Sequence, residues 1–359
     1  MSTLGQRIAA LIAAQGPISI AEFMTIALHD PAAGYYATRD PFGAAGDFIT
    51  APEISQVFGE MLGLWCVQVW HDQGKPARKR LVELGPGRGT LMADALRAAR
   101  VAPEFLDGLE IALVEASPAL TSAQREKLKP WSEKIRWTTQ FDSSLGDRPL
   151  FLLANEFFDA LPIRQYVKTA RGWCERMVTA DANGALDFAL SPVPVPDSLI
   201  PANRGDAPDG GVCEIGAAGL SLCGEIARVI AHKGGGALII DYGYDRPDFG
   251  ETLQAVADHS FAAILDDLGE SDLSAHVDFT NLAAGAAQAG AVVFGPTTQG
   301  EFLDDIGIVP RFEQLAGRNG AAAETLWSQL DRLVNPEQMG TLFKALAIVP
   351  RGAPKPPGF

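Results

Sequence analysis

The chain has 359 residues, 47% hydrophobic and 20% charged, an ordinary balance for a globular protein with a sizeable core, in one elaborated α/β domain or two domains. With 29 Lys and Arg against 44 Asp and Glu, its formal charge of −15 argues against nucleic acid as a partner and fits either a cationic protein segment or the ordinary acidity of bacterial-type cytosolic proteins. No apolar run approaches the roughly 20 residues of a membrane-spanning helix, and the four cysteines and five histidines show no metal or redox spacing, so no metal is expected.

Taken in order, residues 1 to 75 read as a mostly helical region. Ile8, Leu11 and Ile12 recur at helical spacing in an opening stretch that has one Arg and no Arg-rich, Ser-rich presequence pattern. That predicts a folded first helix and a bacterial-type cytoplasmic setting. A loop rich in Gly and Pro follows over residues 30 to 53, and its aromatics and acids suggest a lid. From Lys79 short apolar runs alternate with helical stretches, the signature of parallel strands joined by crossover helices.

Strands are expected at 80–85, 111–116, 135–139, 150–156 and 237–242, with two late ones at 291–297 and 341–349. The stretch from Gln165 to Leu190 reads instead as an antiparallel meander turning at Arg171-Gly172 and Asn183-Gly184. The expected organisation is therefore a helical region over 1–75 and an α/β domain over 76–359, with an insertion at about 165–215.

The most telling segment is Glu83-Leu84-Gly85-Pro86-Gly87-Arg88-Gly89, an apolar strand running through a glycine turn into a helix. Strand, glycine turn and helix in this order give a Rossmann-like site for a nucleotide-like ligand at the carboxyl edge of a sheet. A dinucleotide fingerprint would place glycine where Thr90 stands. Glu83 would also repel a pyrophosphate but attract the ammonium and sulfonium of S-adenosylmethionine. The cofactor reading is thus S-adenosylmethionine, with Gly85, Pro86, Gly87 and Gly89 forming the loop. Glu115, at the next strand end, fits either a bidentate acceptor for ribose hydroxyls or a solvated carboxylate. Asp142 fits either a partner for the adenine amino group or a helix N-cap.

The fourth expected strand ends in Asn155-Glu156-Phe157-Phe158-Asp159, placing two carboxylates beside aromatic rings at the same edge. Such carboxylates are costly without a partner, and a guanidinium matches them, which suggests an arginine substrate. Asp159 equally fits the cap of a helix beginning at Ala160. In the lid loop, Asp47 is a further candidate to hold substrate, and Tyr35 and Tyr36 fit either substrate stacking or an anchor for the loop.

Seven strings in sequence order carry a resemblance: GDFITAPEISQVFGE (46–60), ELGPGRGTLMADALR (83–97), ANEFFDALPIRQ (154–165), LIIDYG (238–243), DLSAHVDFTNL (272–282), TQGEFL (298–303) and MGTLFKALAI (339–348). Together they resemble the MidA family, whose mitochondrial members are complex I assembly methyltransferases. The resemblance implies an α/β class I methyltransferase fold with a seven-stranded, mostly parallel sheet. It also implies methylation of an arginine on a protein partner, a respiratory complex I subunit of the 49 kDa type. On this reading Glu156, Asp159, Asn155 and Asp47 serve catalysis, and Glu83, the glycine loop, Glu115 and Asp142 serve the cofactor. The alternative is an assembly protein on the same fold that acts by contact alone. His276 stands in a family-like string and fits a loop-structuring role or a base equally.

Overall fold

The computed structural model describes residues 3–38, 50–204, 207–246, 249–257, 260–318 and 320–359. Helix α1 (Thr3–Gln15) buries Leu4, Ile8 and Ile12 along one face, as their spacing requires. Helix α2 (Ile20–His29) starts at a reciprocal cap. The Ser19 hydroxyl accepts the Glu22 N–H, and the Glu22 carboxylate accepts the Ser19 N–H, an arrangement worth about 1 kcal/mol. Helix α3 (Gln56–Asp72) follows, capped by Ser55 through the Val57 N–H.

The main sheet is built from β1 (Lys79–Leu84), β2 (Leu109–Val114), β3 (Ile135–Thr138) and β4 (Leu150–Asn155). An antiparallel excursion follows, β5 (Arg164–Thr169), β6 (Gly172–Ala180), β7 (Leu186–Leu190) and β8 (Val212–Ile215). The chain then returns to the main sheet as β9 (Gly235–Tyr244), β10 (Val292–Thr298) and β11 (Phe343–Val349). Spatial order is β10-β11-β9-β4-β1-β2-β3, with the two-residue strand Val277–Asp278 extending the end of β9. Five neighbouring strands, β9, β4, β1, β2 and β3, are parallel, while β11 runs antiparallel to both β9 and β10.

Strand order reverses between β1 and β4, which opens a crevice at the carboxyl edge where those two strands part. The central strands are apolar on both faces because helices cover both. Leu81, Phe151, Leu153, Leu238 and Ile240 join the layer of α3 and α4 (Thr90–Ala98). Val82, Leu84, Leu152, Ala154, Ala237 and Ile239 join the layer of α6 (Ala217–Lys233) and α7 (Phe279–Gln288), with α5 (Pro118–Lys127) lying between β2 and β3 in sequence. This alternation fixes the side to which each edge residue points, two residues per repeat.

The N-terminal residues pack in two places. Ile18–Ser19 forms a short antiparallel pair with β6, and α1 and α2 share a core with Val178 and with residues of the 253–275 segment. Helix α3 instead belongs to the core of the main sheet. The pairing of Ile18 with Val178 spans 160 positions of sequence, so no local pattern announces it.

Candidate active site

The glycine turn after β1 has the backbone that its composition demands. Gly85 and Gly87 sit at φ +60 and +51, in the left-handed region where a side chain is strained. At Gly85 space is also refused, since an added Cβ would lie 2.7 Å from a ring carbon of Phe157. The Gly85 N–H donates to the Val114 carbonyl at 3.1 Å, and the Gly89 N–H to that of Pro86 at 2.7 Å, delivering the chain into α4. Beneath the turn lies a cavity of about 390 Å³, lined by Glu53, Glu83, Gly85, Gly87, Asn155 and Glu156 among others.

Glu83 reaches this cavity from within β1 and is only 3% exposed. Burial, with repulsion from Glu115 added, pushes its carboxyl up to about 8. Its Oε2 is buried with no hydrogen-bond partner among the described residues. Glu115 follows β2; one oxygen accepts the Ser117 N–H at 2.8 Å and the other the Gln124 side chain at 3.1 Å, and burial raises its carboxyl too. Gln124, fully buried on α5, escaped the sequence reading because its partners are distant in the chain. Asp142 lies away from the lining of this cavity, and its Oδ1 accepts the Ser144 N–H at 2.7 Å, the local capping arrangement.

Beyond β4 the chain turns sharply, with no helix at Ala160 for Asp159 to cap. Glu156 has φ +50, and its N–H donates to the Ile240 carbonyl at 3.0 Å. Its half-buried carboxylate lines the cavity and accepts the Ala51 N–H at 3.1 Å and the Asn155 amide at 3.0 Å. Burial pushes Glu156 up to about 7 and Asp159 up to about 6. Asp159 accepts the Tyr242 hydroxyl with one oxygen, while Oδ1 is buried without a partner. Fully buried Asp241, in β9, accepts the backbone N–H groups of Phe157, Phe158 and Asp159 at 3.1, 2.8 and 3.3 Å. Among the described residues no salt bridge reaches Glu83, Glu156, Asp159 or Asp241.

A second cavity, of about 500 Å³, lies on the far side of the turn, lined by Phe158, Ile163, Tyr244, His276, Val277 and Asp278 among others. His276 stacks edge-on against Tyr242, and burial lowers its pKa, which favours the neutral ring. Asp278 caps α7 and pairs with Arg204 at 2.8 Å. In the expected lid, Glu53 accepts the Thr90 hydroxyl at 2.5 Å, and Tyr35 and Tyr36 pack against the core of α1 and α2 rather than lining either cavity. Asp47 lies outside the described residues.

The lining suits the expected cofactor. Glu83 Oε2 and Asn155 Oδ1 are buried acceptors awaiting donors, an ammonium supplies such donors, and the bare glycine backbone admits close approach. A sheet of this order with a reversed final hairpin, and carboxylates ending its first two strands, defines an S-adenosylmethionine-dependent methyltransferase. The model of a family described by that activity matches residues 61–297, and the chain belongs to it. It is 37% identical to the mitochondrial protein arginine methyltransferase NDUFAF7 of Danio rerio, over 96% of this chain and 86% of that protein. With its Homo sapiens counterpart the identity is 36%, over 94% and 81%. A crystal structure from Burkholderia thailandensis, bound to S-adenosyl-homocysteine, matches with a TM-score of 0.87 at 30% identity, covering 98% of this chain and 92% of that one. These relatives bear out the MidA resemblance, the methyltransferase fold and the cofactor. The cytoplasmic expectation is overturned, because the Danio rerio and Homo sapiens relatives are mitochondrial proteins. Net charge speaks to solubility and association, not to compartment.

Proposed function

We propose that the chain transfers a methyl group from S-adenosylmethionine to an arginine of a protein substrate, a respiratory complex I subunit of the 49 kDa type. The observation that carries this reading is the pair Glu156 and Asp159. Both are acidic and largely removed from water, and neither forms a salt bridge among the described residues, the Arg332 charge being a lesser influence on Glu156. Glu156 lines the cavity under the glycine turn, and Asp159 Oδ1 lies buried without a hydrogen-bond partner. Carboxylates so placed are stabilised by a guanidinium, whose planar N–H groups fit carboxylate oxygens. The names of the relatives, protein arginine methyltransferases, support the same substrate class.

Roles follow from position. Glu83 takes the cofactor's ammonium, Gly85, Pro86, Gly87 and Gly89 lie along it, and Glu115 accepts its ribose hydroxyls while Gln124 steadies the carboxylate. The cofactor supplies an electrophilic methyl on a sulfonium. Glu156 and Asp159 hold the guanidinium so that one nitrogen lone pair faces that methyl, with Asn155 orienting Glu156. With the cofactor bound, the new N–C bond would replace the C–S bond, whose electron pair would go to sulfur. The nitrogen's proton passes to a carboxylate of the pair.

The test combines purified chain, methyl-labelled S-adenosylmethionine and the complex I subunit, with mass spectrometry of the product. Methylated arginine, lost in Glu156→Gln, is expected; label on lysine or on no residue would overturn the proposal.

A further inference from the structure

Glu156 holds a left-handed φ of +50, which costs a side-chain-bearing residue of order 1 kcal/mol, so the surrounding structure has to impose it. The next three residues show how. Their N–H groups converge on a single oxygen, Asp241 Oδ2, while Oδ1 takes the Tyr242 N–H at 3.0 Å. Successive backbone donors around one acceptor oxygen form a nest; these bonds favour the ionised form of Asp241, against burial and the neighbouring Asp159 and Glu156, which together raise its pKa well above the usual carboxylate range. Asp241 comes from the neighbouring strand, is fully buried and lines neither cavity, so it does not touch a ligand in either.

We infer that Asp241 is a positioning residue: by gathering the N–H groups of Phe157, Phe158 and Asp159, its carboxyl sets the direction in which Glu156 faces its cavity and the place that buried Asp159 takes behind it. The inference rests on the proposed function for what the Glu156 carboxylate holds. On the opposite strand Lys344 is its register partner, but the ammonium is turned to the Thr341 carbonyl. The acceptor role of Asp241 is therefore directed to the turn. Misplacing reacting groups by about 1 Å costs on the order of 100-fold in rate, so the rate responds to the nest even though no contact to substrate is lost.

The experiment uses D241N and D241A in the full chain. Methyl transfer to the complex I subunit and calorimetric binding of S-adenosyl-homocysteine are measured on both. An amide oxygen replaces the carboxylate less well, so D241N should lose about 10-fold in kcat and D241A about 100-fold. KM for S-adenosylmethionine and S-adenosyl-homocysteine affinity should stay within about threefold, because the contacts of Glu83 and Glu115 do not involve Asp241. A kcat for D241N within twofold of wild type, or a matching loss of cofactor affinity, overturns the inference. If D241A does not fold, D241N decides. Wild-type protein that leaves the subunit unmethylated sinks the proposed function instead. A crystal structure of D241N then decides the positional claim: Glu156 leaving its left-handed φ sustains it, and Glu156 unmoved overturns it.

Discussion

Gln124 Nε2 lies 2.7 Å from the Gly87 carbonyl and 3.1 Å from Glu115 Oε2, so one buried amide ties the glycine turn to the end of the neighbouring strand. Its oxygen in turn accepts the Trp137 indole N–H at 3.0 Å. Gln124→Leu keeps the volume and removes all three bonds. S-adenosyl-homocysteine affinity should fall about 10-fold, the worth of roughly one good hydrogen bond, and the thermal midpoint should drop as well, because the Trp137 N–H and the Gly87 carbonyl lose their buried partner. Unchanged affinity by calorimetry would show that the turn holds its shape without the amide.

Gly85→Ala meets two penalties at once, a left-handed φ and a Cβ placed 2.7 Å from the Phe157 ring. Strain of about 1 to 2 kcal/mol in the bound conformation translates to a loss of about 5- to 30-fold in S-adenosyl-homocysteine affinity. Retention of wild-type affinity would mean that Phe157 gives way freely.

Glu156→Gln preserves shape and removes the charge proposed to face the guanidinium. We expect kcat to fall by about 100-fold and S-adenosyl-homocysteine affinity to stay within about threefold. In the wild type, activity should decline as pH drops through the values of about 7 for Glu156 and about 6 for Asp159, since a protonated carboxyl no longer pairs with the cation. A flat rate between pH 8 and 5.5 would remove both groups from the mechanism.

The same carboxyls govern stability. Glu83, Glu156 and Asp159 hold their protons in the folded protein up to about 8, 7 and 6, against ordinary values of 4.5, 4.5 and 3.8. Between those limits the folded chain binds more protons than the unfolded one, so stability falls as pH rises. The ligand-free thermal midpoint should therefore drop from pH 5.5 to pH 8.5. The increment added by S-adenosyl-homocysteine, whose ammonium is proposed to meet Glu83, should grow over the same range. Differential scanning calorimetry in matched buffers reads both trends, and a rising ligand-free midpoint would contradict the first.

Glu60 is 5% exposed and joins two distant helices, taking Arg97 at 3.0 Å with one oxygen and Arg311 at 2.9 and 2.8 Å with the other. Removing a buried charge partner strands the others, though here both arginines retain some solvent. Glu60→Ala should cost about 2 kcal/mol in denaturant unfolding and leave the cofactor constant unchanged.

Much of this molecule is legible in its residues. The seven strands of the main sheet lie within two residues of where apolar runs end at glycine, proline or charge, because burial on both faces leaves no other pattern. The glycine turn is equally plain, since few other functions need three glycines between a strand and a helix. Asp241 was visible only as part of an apolar strand, because its partners stand more than 80 positions earlier. Gln124 is hidden in the same way, a polar residue on a helix whose use depends on what two strand ends bring near it. At Asp142 the signal FDSS did carry its local meaning, and the bond to Ser144 matches the capping alternative.

Glu156 faces one cavity and Phe158 the other, two positions apart on the same turn, with the Phe157 ring closing over Gly85. For inhibitor chemistry this means that two adjoining chambers are divided by a partition of main chain. A linear molecule occupying both would have to break the partition, whereas a branched one, anchored on the cofactor side and curving around the turn, would leave it standing.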